Sequence, residues 1–123
     1  MTVLVGALFL FTPPTAQGAR LKPVGISASS TYPAEEGVNY DAKLLGDGKL
    51  GTSWVEGEEG GGLGSWFELD LGAVKNVQKV KIWGGFWFSW DFWNRANRPK
   101  EIELRFDDGT SEKHTLKDEM LAQ

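Results

Sequence analysis

Three carboxylates lie close together in the sequence and are the arrangement nearest to a catalytic pair. Glu56, Glu58 and Glu59 fall within four residues of this 123-residue chain. A glycosidase needs two carboxylates that face the substrate from a rigid frame. These three adjoin or belong to GEEGGGLG at residues 57–64, a loop whose glycines lose much backbone entropy when they order. We therefore predict that they form no glycosidase site.

One histidine and no cysteine limit the remaining catalytic chemistry. His114 stands beside Lys113 without a spaced partner, so we predict a surface or edge residue. The lack of cysteine excludes a thiol nucleophile, a disulfide framework and a cysteine-bound metal. The glycine-rich loop has neither the dinucleotide-binding nor the phosphate-loop spacing. We expect no catalytic residue and a protein that is not an enzyme.

A tight turn offers oxygen atoms that suit a hard cation. Asp47 and Thr52 lie within GDGKLGT at residues 46–52, where backbone carbonyls can also face inward. Calcium takes six to eight oxygen ligands of this kind. The alternative is a simple turn at Asp47–Gly48, with Thr52 as the first hydroxyl of a strand. The residues alone leave both interpretations open.

The segment GFWFSWDFW at residues 85–93 is the densest aromatic stretch, with six aromatic residues in nine positions. Such a stretch can be a tightly packed core. It can also be a surface that stacks on sugar rings, or an apolar spike that enters a membrane interface, because indole combines an apolar body with a polar N–H. Exposed apolar patches on soluble proteins usually mark an interaction site.

The elements that must position these residues are short strands. SWFELDLG, VQKVKIW and EIELRF alternate apolar and polar residues with period two, which is typical of half-buried antiparallel strands. Asp107-Asp108-Gly109 predicts a hairpin turn before a further strand at residues 111–116. ISASST at residues 26–31 is also compatible with a strand. In no long segment do apolar residues recur with the period of a helix. We predict an all-β antiparallel sandwich, most simply a jelly roll, with these side chains inward: Phe67, Leu69, Val80, Ile82, Leu104 and Phe106.

The N-terminal segment is apolar. Residues 2–11 read TVLVGALFLF, a Pro-Pro pair follows, and Ala16-Gln17-Gly18 is a small-x-small site. This arrangement predicts a secretory signal peptide at 1–18, a linker at 19–24 and one domain at 25–123, although no Lys or Arg precedes the apolar run. We expect the segment to lie apart from the core or to be absent from an exported protein. The alternative is a buried apolar strand.

Export would place the protein outside the cell or in the cell envelope. The chain has 13 Lys and Arg against 17 Asp and Glu, which argues against a nucleic-acid partner, because such partners select basic surfaces.

Three ordered segments carry a resemblance to a known family: LGDGKLGTSW at 45–54, GSWFELDLG at 64–72 with residues 77–83 behind it, and NRPK at 97–100 leading into EIELRFDDG. Together they resemble the discoidin-like domains, also called coagulation factor V/VIII type C domains, of galactose-binding-like fold. The bacterial NAD glycohydrolase translocation domain, which occurs beside toxins or in envelope proteins, is the most similar variety. In that pattern further closing strands follow, so the resemblance implies a domain that is incomplete at its C-terminus.

The resemblance also bears on the candidate sites. It implies a structural Ca²⁺ at Asp47 and Thr52. It also implies packed residues at Phe86, Ser89, Phe92 and Trp93. The aromatic residues in excess of the family pattern are Trp87, Phe88 and Trp90.

We expect the three excess aromatics to be exposed and, with Arg95 and Arg98, to bind a ligand, since arginine binds sugar hydroxyls or lipid phosphates. The predicted function is a non-catalytic binding module with carbohydrate or another cell-surface ligand as partner. The alternative is a protein- or membrane-interaction or translocation module of a larger toxin or envelope protein. A sugar site requires polar groups that converge on the rings, whereas a membrane spike requires rings alone.

Overall fold

The computed structural model describes residues 20–123 and, for the backbone alone, the segment Leu4–Phe11. Eight strands dominate the described residues, which confirms the all-β prediction. The elements are β1 (Leu4–Phe11), β2 (Arg20–Leu21), β3 (Gly25–Ala28), a 3₁₀ helix (Ala42–Gly46), β4 (Trp54–Val55), β5 (Phe67–Asp70), β6 (Lys79–Gly84), α1 (Trp90–Arg95), β7 (Glu101–Arg105) and β8 (Ser111–Thr115).

All strand pairs are antiparallel, as the period-two patterns predict. β1 pairs with β2, β4 and β6 in one four-stranded sheet, and β3–β5 and β7–β8 form two-stranded sheets. The predicted hairpin is confirmed: Glu101 faces Thr115, Arg105 faces Ser111, and Gly109 takes a φ of 89° in the turn between them. That left-handed conformation favours glycine because it has no Cβ.

The core lies between the sheets. Its buried residues are Ala42 and Leu45 of the 3₁₀ helix, Trp54 of β4 and Ile82 of β6. Partly buried side chains of β3, β5, β6 and β7 pack against them: Ile26, Ala28, Phe67, Leu69, Val80 and Ile102. The four-stranded sheet thus faces the β3–β5 pair across a single apolar layer, which is a sandwich arrangement.

The predicted inward register is confirmed for five of the six residues. Ile82 is buried, and Phe67, Leu69, Val80 and Leu104 are half-buried. Phe106 is 37% exposed, so the prediction was wrong there. The physical reason is that β7 ends at Arg105, so Phe106 belongs to the hairpin turn, where its N–H donates to Thr110.

The expectation that the N-terminal segment lies apart from the core is wrong for the uncleaved chain, whereas its absence from an exported protein stays a prediction. The backbone of Leu4–Phe11 pairs with β6 over Lys79–Ile82 and Gly84, and it also pairs with β2 and β4. An uncharged apolar run suits a strand with neighbours on both sides, which was the alternative interpretation. Arg20–Leu21, in the predicted linker, forms β2. The small-x-small site at 16–18 lies outside the described residues, and signal cleavage stays a prediction.

Candidate functional site

The aromatic stretch forms a turn and a short helix directly after β6. Gly85 has a φ of 90°, and a Cβ on it would lie 2.8 Å from Cδ1 of Trp93 and 2.9 Å from Cγ of Arg98. Only glycine fits there without displacing both side chains. Ser89 then begins α1, because its hydroxyl accepts the N–H of Phe92 at 3.2 Å as an N-cap. Six residues are too few to show a helical period in the sequence.

Trp93 anchors this segment to the fold. It is 4% exposed, and its Nε1 donates to the carbonyl of Gly84 at 3.1 Å. The guanidinium of Arg98 covers one ring at 3.9 Å from the centroid. The indole of Trp90 stacks on Trp93 with centroids 5.2 Å apart and planes 19° apart. The predicted burial of Trp93 is confirmed.

The remaining rings form an exposed surface that we call the aromatic patch, comprising Phe86, Phe88, Trp90 and Phe92. Phe88 is 66% exposed, Trp90 62% and Phe92 42%, whereas Phe86 is half-buried. The three phenylalanines contact one another with centroids 5.3 to 6.3 Å apart. Ring-to-ring contacts therefore hold the three phenylalanines together, whereas Trp90 contacts Trp93 at the start of α1.

Two of the sequence predictions within this stretch were wrong. Phe92, predicted to be packed, is exposed, because α1 turns consecutive residues by about 100° and only Trp93 points to the core. Trp87, predicted to be exposed, is half-buried, and its Nε1 donates to the carbonyl of Gly84 at 3.0 Å. Phe88 and Trp90 are exposed as predicted.

The two predicted ligand-binding arginines are held by the protein itself. Arg95 donates to the carboxylate of Asp91 at 2.6 Å and lies over the ring of Phe92 at 5.2 Å. Arg98 donates from Nη1 to the carbonyls of Trp93 and Ala96, at 2.6 and 2.9 Å. Their role in ligand binding stays a prediction.

Arg98 also ties the C-terminal segment to α1. Its Nε donates to Asp118 at 2.7 Å, and this hydrogen bond lowers the pKa of Asp118 from its ordinary value of 3.8. Because the pKa of Asp118 is lowered in the folded state, the ionised carboxylate stabilises the fold at any pH above its ordinary pKa. This contribution is lost as the pH falls through the lowered pKa.

We predict that Arg98→Gln raises the pKa of Asp118, measured by NMR titration of its carboxyl carbon. The same pKa in both proteins would contradict this ion pair.

The predicted cation turn lies next to the aromatic patch. One oxygen of Asp47 accepts the N–H of Lys49 at 2.8 Å, and the other accepts the hydroxyl of Thr52 at 2.6 Å. The same hydroxyl lies 3.1 Å from the carbonyl of Lys49. A Cβ on Gly51 would lie 3.8 Å from Phe88, and Leu50 is 39% exposed beside it. The loop therefore borders the patch.

The structure does not assemble the carboxylates of the glycine-rich loop into a pair. Glu56 is fully buried and accepts the N–H of Glu58 at 2.6 Å, whereas Glu58 and Glu59 are exposed. His114 is exposed, as predicted for a surface residue, and its Nε2 lies 3.1 Å from Glu112.

The part of the chain that the structure describes contains neither a metal-binding cluster nor a membrane-spanning helix. In that part of the chain no group of three or more His, Cys, Asp or Glu side chains is placed to hold a metal ion. Among the same residues no helix is long and apolar enough to cross a membrane.

Comparison with known proteins identifies the family. No curated protein and no solved structure matches the chain. A family model described as "NAD glycohydrolase translocation F5/8 type C domain" matches residues 20–123. The description names a translocation domain and not a catalytic one, and domains of the F5/8 type C kind are β-sandwiches, as is the fold described above. The chain therefore belongs to the NAD glycohydrolase translocation F5/8 type C domain family.

Proposed function

We propose that this chain is a non-catalytic interaction module of a larger, secreted or envelope-associated toxin-related protein. We further propose that it docks on the lipid–water interface of a membrane through its aromatic patch. Membership of a translocation family supports the first part. The observation that carries the second part is the exposure of Phe88, Trp90 and Phe92, three aromatic side chains within one short turn and helix.

The direction of the polar groups favours a membrane over a sugar. Trp87 and Trp93 direct their N–H groups inward to Gly84, and Arg98 is engaged by backbone carbonyls and Asp118. A sugar site needs polar groups that converge on the rings from outside. The patch presents ring carbon, and an exposed polar group beside it, the guanidinium of Arg95, lies over Phe92 and is paired with Asp91. Carbohydrate binding therefore stays a prediction, and the membrane interface is our first proposal.

A direct comparison of the two ligand classes tests this proposal. The intact chain should co-sediment with phosphatidylcholine vesicles and should give no specific signal on a glycan array. Because the formal net charge is −4, we expect no requirement for anionic lipid. Binding to a defined glycan without binding to vesicles would replace the membrane proposal with the carbohydrate one. Binding to neither would leave a protein partner as the ligand of the patch and refute the membrane proposal.

We also propose a structural Ca²⁺ at the turn that borders the patch. Its support is the convergence of three hard oxygens, from the Asp47 carboxylate, the Thr52 hydroxyl and the Lys49 carbonyl. A single carboxylate is a weak donor set, so we expect modest affinity. Calcium held by these residues would stabilise the loop that carries Leu50.

Calcium should raise the melting temperature of the chain. An ion that binds only the folded state stabilises by about 2.7 kcal/mol at a hundredfold excess over Kd. Asp47→Asn keeps the size of the side chain and should abolish the shift. Equal melting curves in calcium and in chelator for the unaltered chain would refute the site.

A further inference from the structure

The strand β1 is the strand with which the other three strands of the four-stranded sheet all pair. Among the described strands of this sheet, β2, β4 and β6 each pair with β1 and not with one another. β4 pairs with Leu4 and Val5, β2 pairs with Leu10 and Phe11, and β6 pairs along most of the strand. Removal of this one strand would therefore leave three strands with unpaired backbone edges.

The same position borders the buried core. Trp54 and Ile82, two of the four core residues, are the register partners of Val5 and Leu8. The 3₁₀ helix, which carries the core residues Ala42 and Leu45, also contacts β1. An empty strand position would thus leave unpaired backbone edges directly beside these core residues.

The occupant is uncharged and wholly apolar. Its sequence is LVGALFLF, which suits a strand with neighbours on both sides. The same residues are the apolar part of the predicted secretion signal. A peptide that is cleaved and left in the membrane during export cannot also complete this sheet, so the two roles exclude each other for one copy of the chain.

We propose that the β1 position is a strand-acceptor site for an uncharged, apolar, extended segment that runs antiparallel to β6. Leu4–Phe11 fills it within the uncleaved chain. In an exported chain from which that segment has been cleaved, an equivalent segment of another polypeptide fills it. This is recognition by strand addition, in which backbone hydrogen bonds supply affinity and apolar side chains supply selectivity.

The register predicts which backbone groups of the occupant matter. Both the N–H and the C=O of Ile82 bond to Gln123 on the opposite edge of β6, at 2.6 and 3.0 Å. Leu8 and Ile82 are therefore a non-hydrogen-bonded pair, and the next pair, Phe9 with Lys81, is the hydrogen-bonded one. The N–H of Phe9 points to β6, whereas the N–H of Leu8 points away from it.

The test begins with the full chain, folded with a site-specific protease sequence inserted after Thr15. Cleavage then leaves the N-terminal fragment held without a covalent bond. A labelled synthetic peptide of residues 2–11, carrying a lysine tail for solubility, is added in excess. We expect the nicked protein to keep its cooperative melting transition and to exchange the fragment for the peptide. N-methylation at Phe9 should weaken peptide binding roughly tenfold or more, because it removes the bond to Lys81.

N-methylation at Leu8 is the matched control and should leave binding nearly unchanged. Equal binding of the two N-methylated peptides would overturn the proposal. So would release of the fragment with no change in melting temperature, or unfolding of the nicked chain that the peptide does not reverse. Vesicle binding by the intact chain tests the aromatic patch separately, so failure of one proposal does not imply failure of the other.

Discussion

Replacing Trp93 with alanine is expected to destabilise the domain by about 3–5 kcal/mol, the usual cost of emptying a buried aromatic site. Trp93 is 4% exposed, stacks on Trp90 and lies under the guanidinium of Arg98. Its loss also removes the N–H donor to Gly84. Urea denaturation followed by far-ultraviolet circular dichroism measures this change as a shift of the midpoint.

Phe92 is the matched control because it is the neighbouring aromatic residue on the same helix. It is 42% exposed and contacts mainly the other rings of the aromatic patch. Phe92→Ala should therefore cost about 1 kcal/mol, the typical value for a point mutation. A Phe92→Ala protein that is destabilised as much as Trp93→Ala would contradict the assignment of one residue to the core and the other to the surface.

The strands were predictable because period-two alternation is a local signal. The pattern in EIELRF and the turn Asp107-Asp108-Gly109 specify β7, the hairpin and β8 without reference to the rest of the chain. The inward register failed only at Phe106, where the alternation continues one residue beyond the end of the strand.

The sequence could not separate core from surface within the aromatic stretch. Phe92 and Trp93 are both large aromatic residues, yet Phe92 is exposed and Trp93 is buried. The difference depends on which face of α1 is turned towards the core. The half-burial of Trp87 depends on a single carbonyl, that of Gly84, which accepts two indole N–H groups. The Ser89 N-cap was the local signal that could have indicated a helix here.

The N-terminal segment shows a different limit of sequence reasoning. A secretion signal and a fully buried strand have the same local pattern, a short uncharged apolar run. A strand additionally requires pairing partners, here β2, β4 and β6, of which β4 and β6 come from distant parts of the chain. The sequence of residues 4–11 alone does not predict which strands pair with this segment.

The second large effect is expected at the aromatic patch. Phe88→Ala and Trp90→Ala should each weaken binding to phosphatidylcholine vesicles, because each ring is about two-thirds exposed and free to enter the lipid interface. Partial burial of one aromatic ring in an apolar environment is worth about 1–2 kcal/mol, or roughly a five- to thirtyfold change in affinity. The double variant should combine the two losses, and vesicle sedimentation measures them.

Trp66 is the matched control for these variants. It is 51% exposed but lies beside the β3–β5 pair, outside the aromatic patch. Trp66→Ala should bind vesicles as the unaltered chain does. Phe88→Ala should keep the urea midpoint close to that of the unaltered chain. Trp90→Ala loses the stacking on Trp93 and should lower stability by only about 1 kcal/mol, so that weaker binding does not reflect unfolding. An equal loss of binding in Trp66→Ala would indicate adhesion of exposed aromatic residues in general and not a specific surface.

Fluorescence quenching by lipids brominated on their acyl chains tests the central claim most directly, because bromine quenches only indoles that reach the interior of the interface. We predict that vesicles containing such lipids quench the unaltered chain, that Trp90→Phe loses most of this quenching, and that Trp66→Phe retains it. Quenching that is lost in Trp66→Phe and retained in Trp90→Phe, or no quenching of vesicle-bound protein, would contradict docking through the aromatic patch.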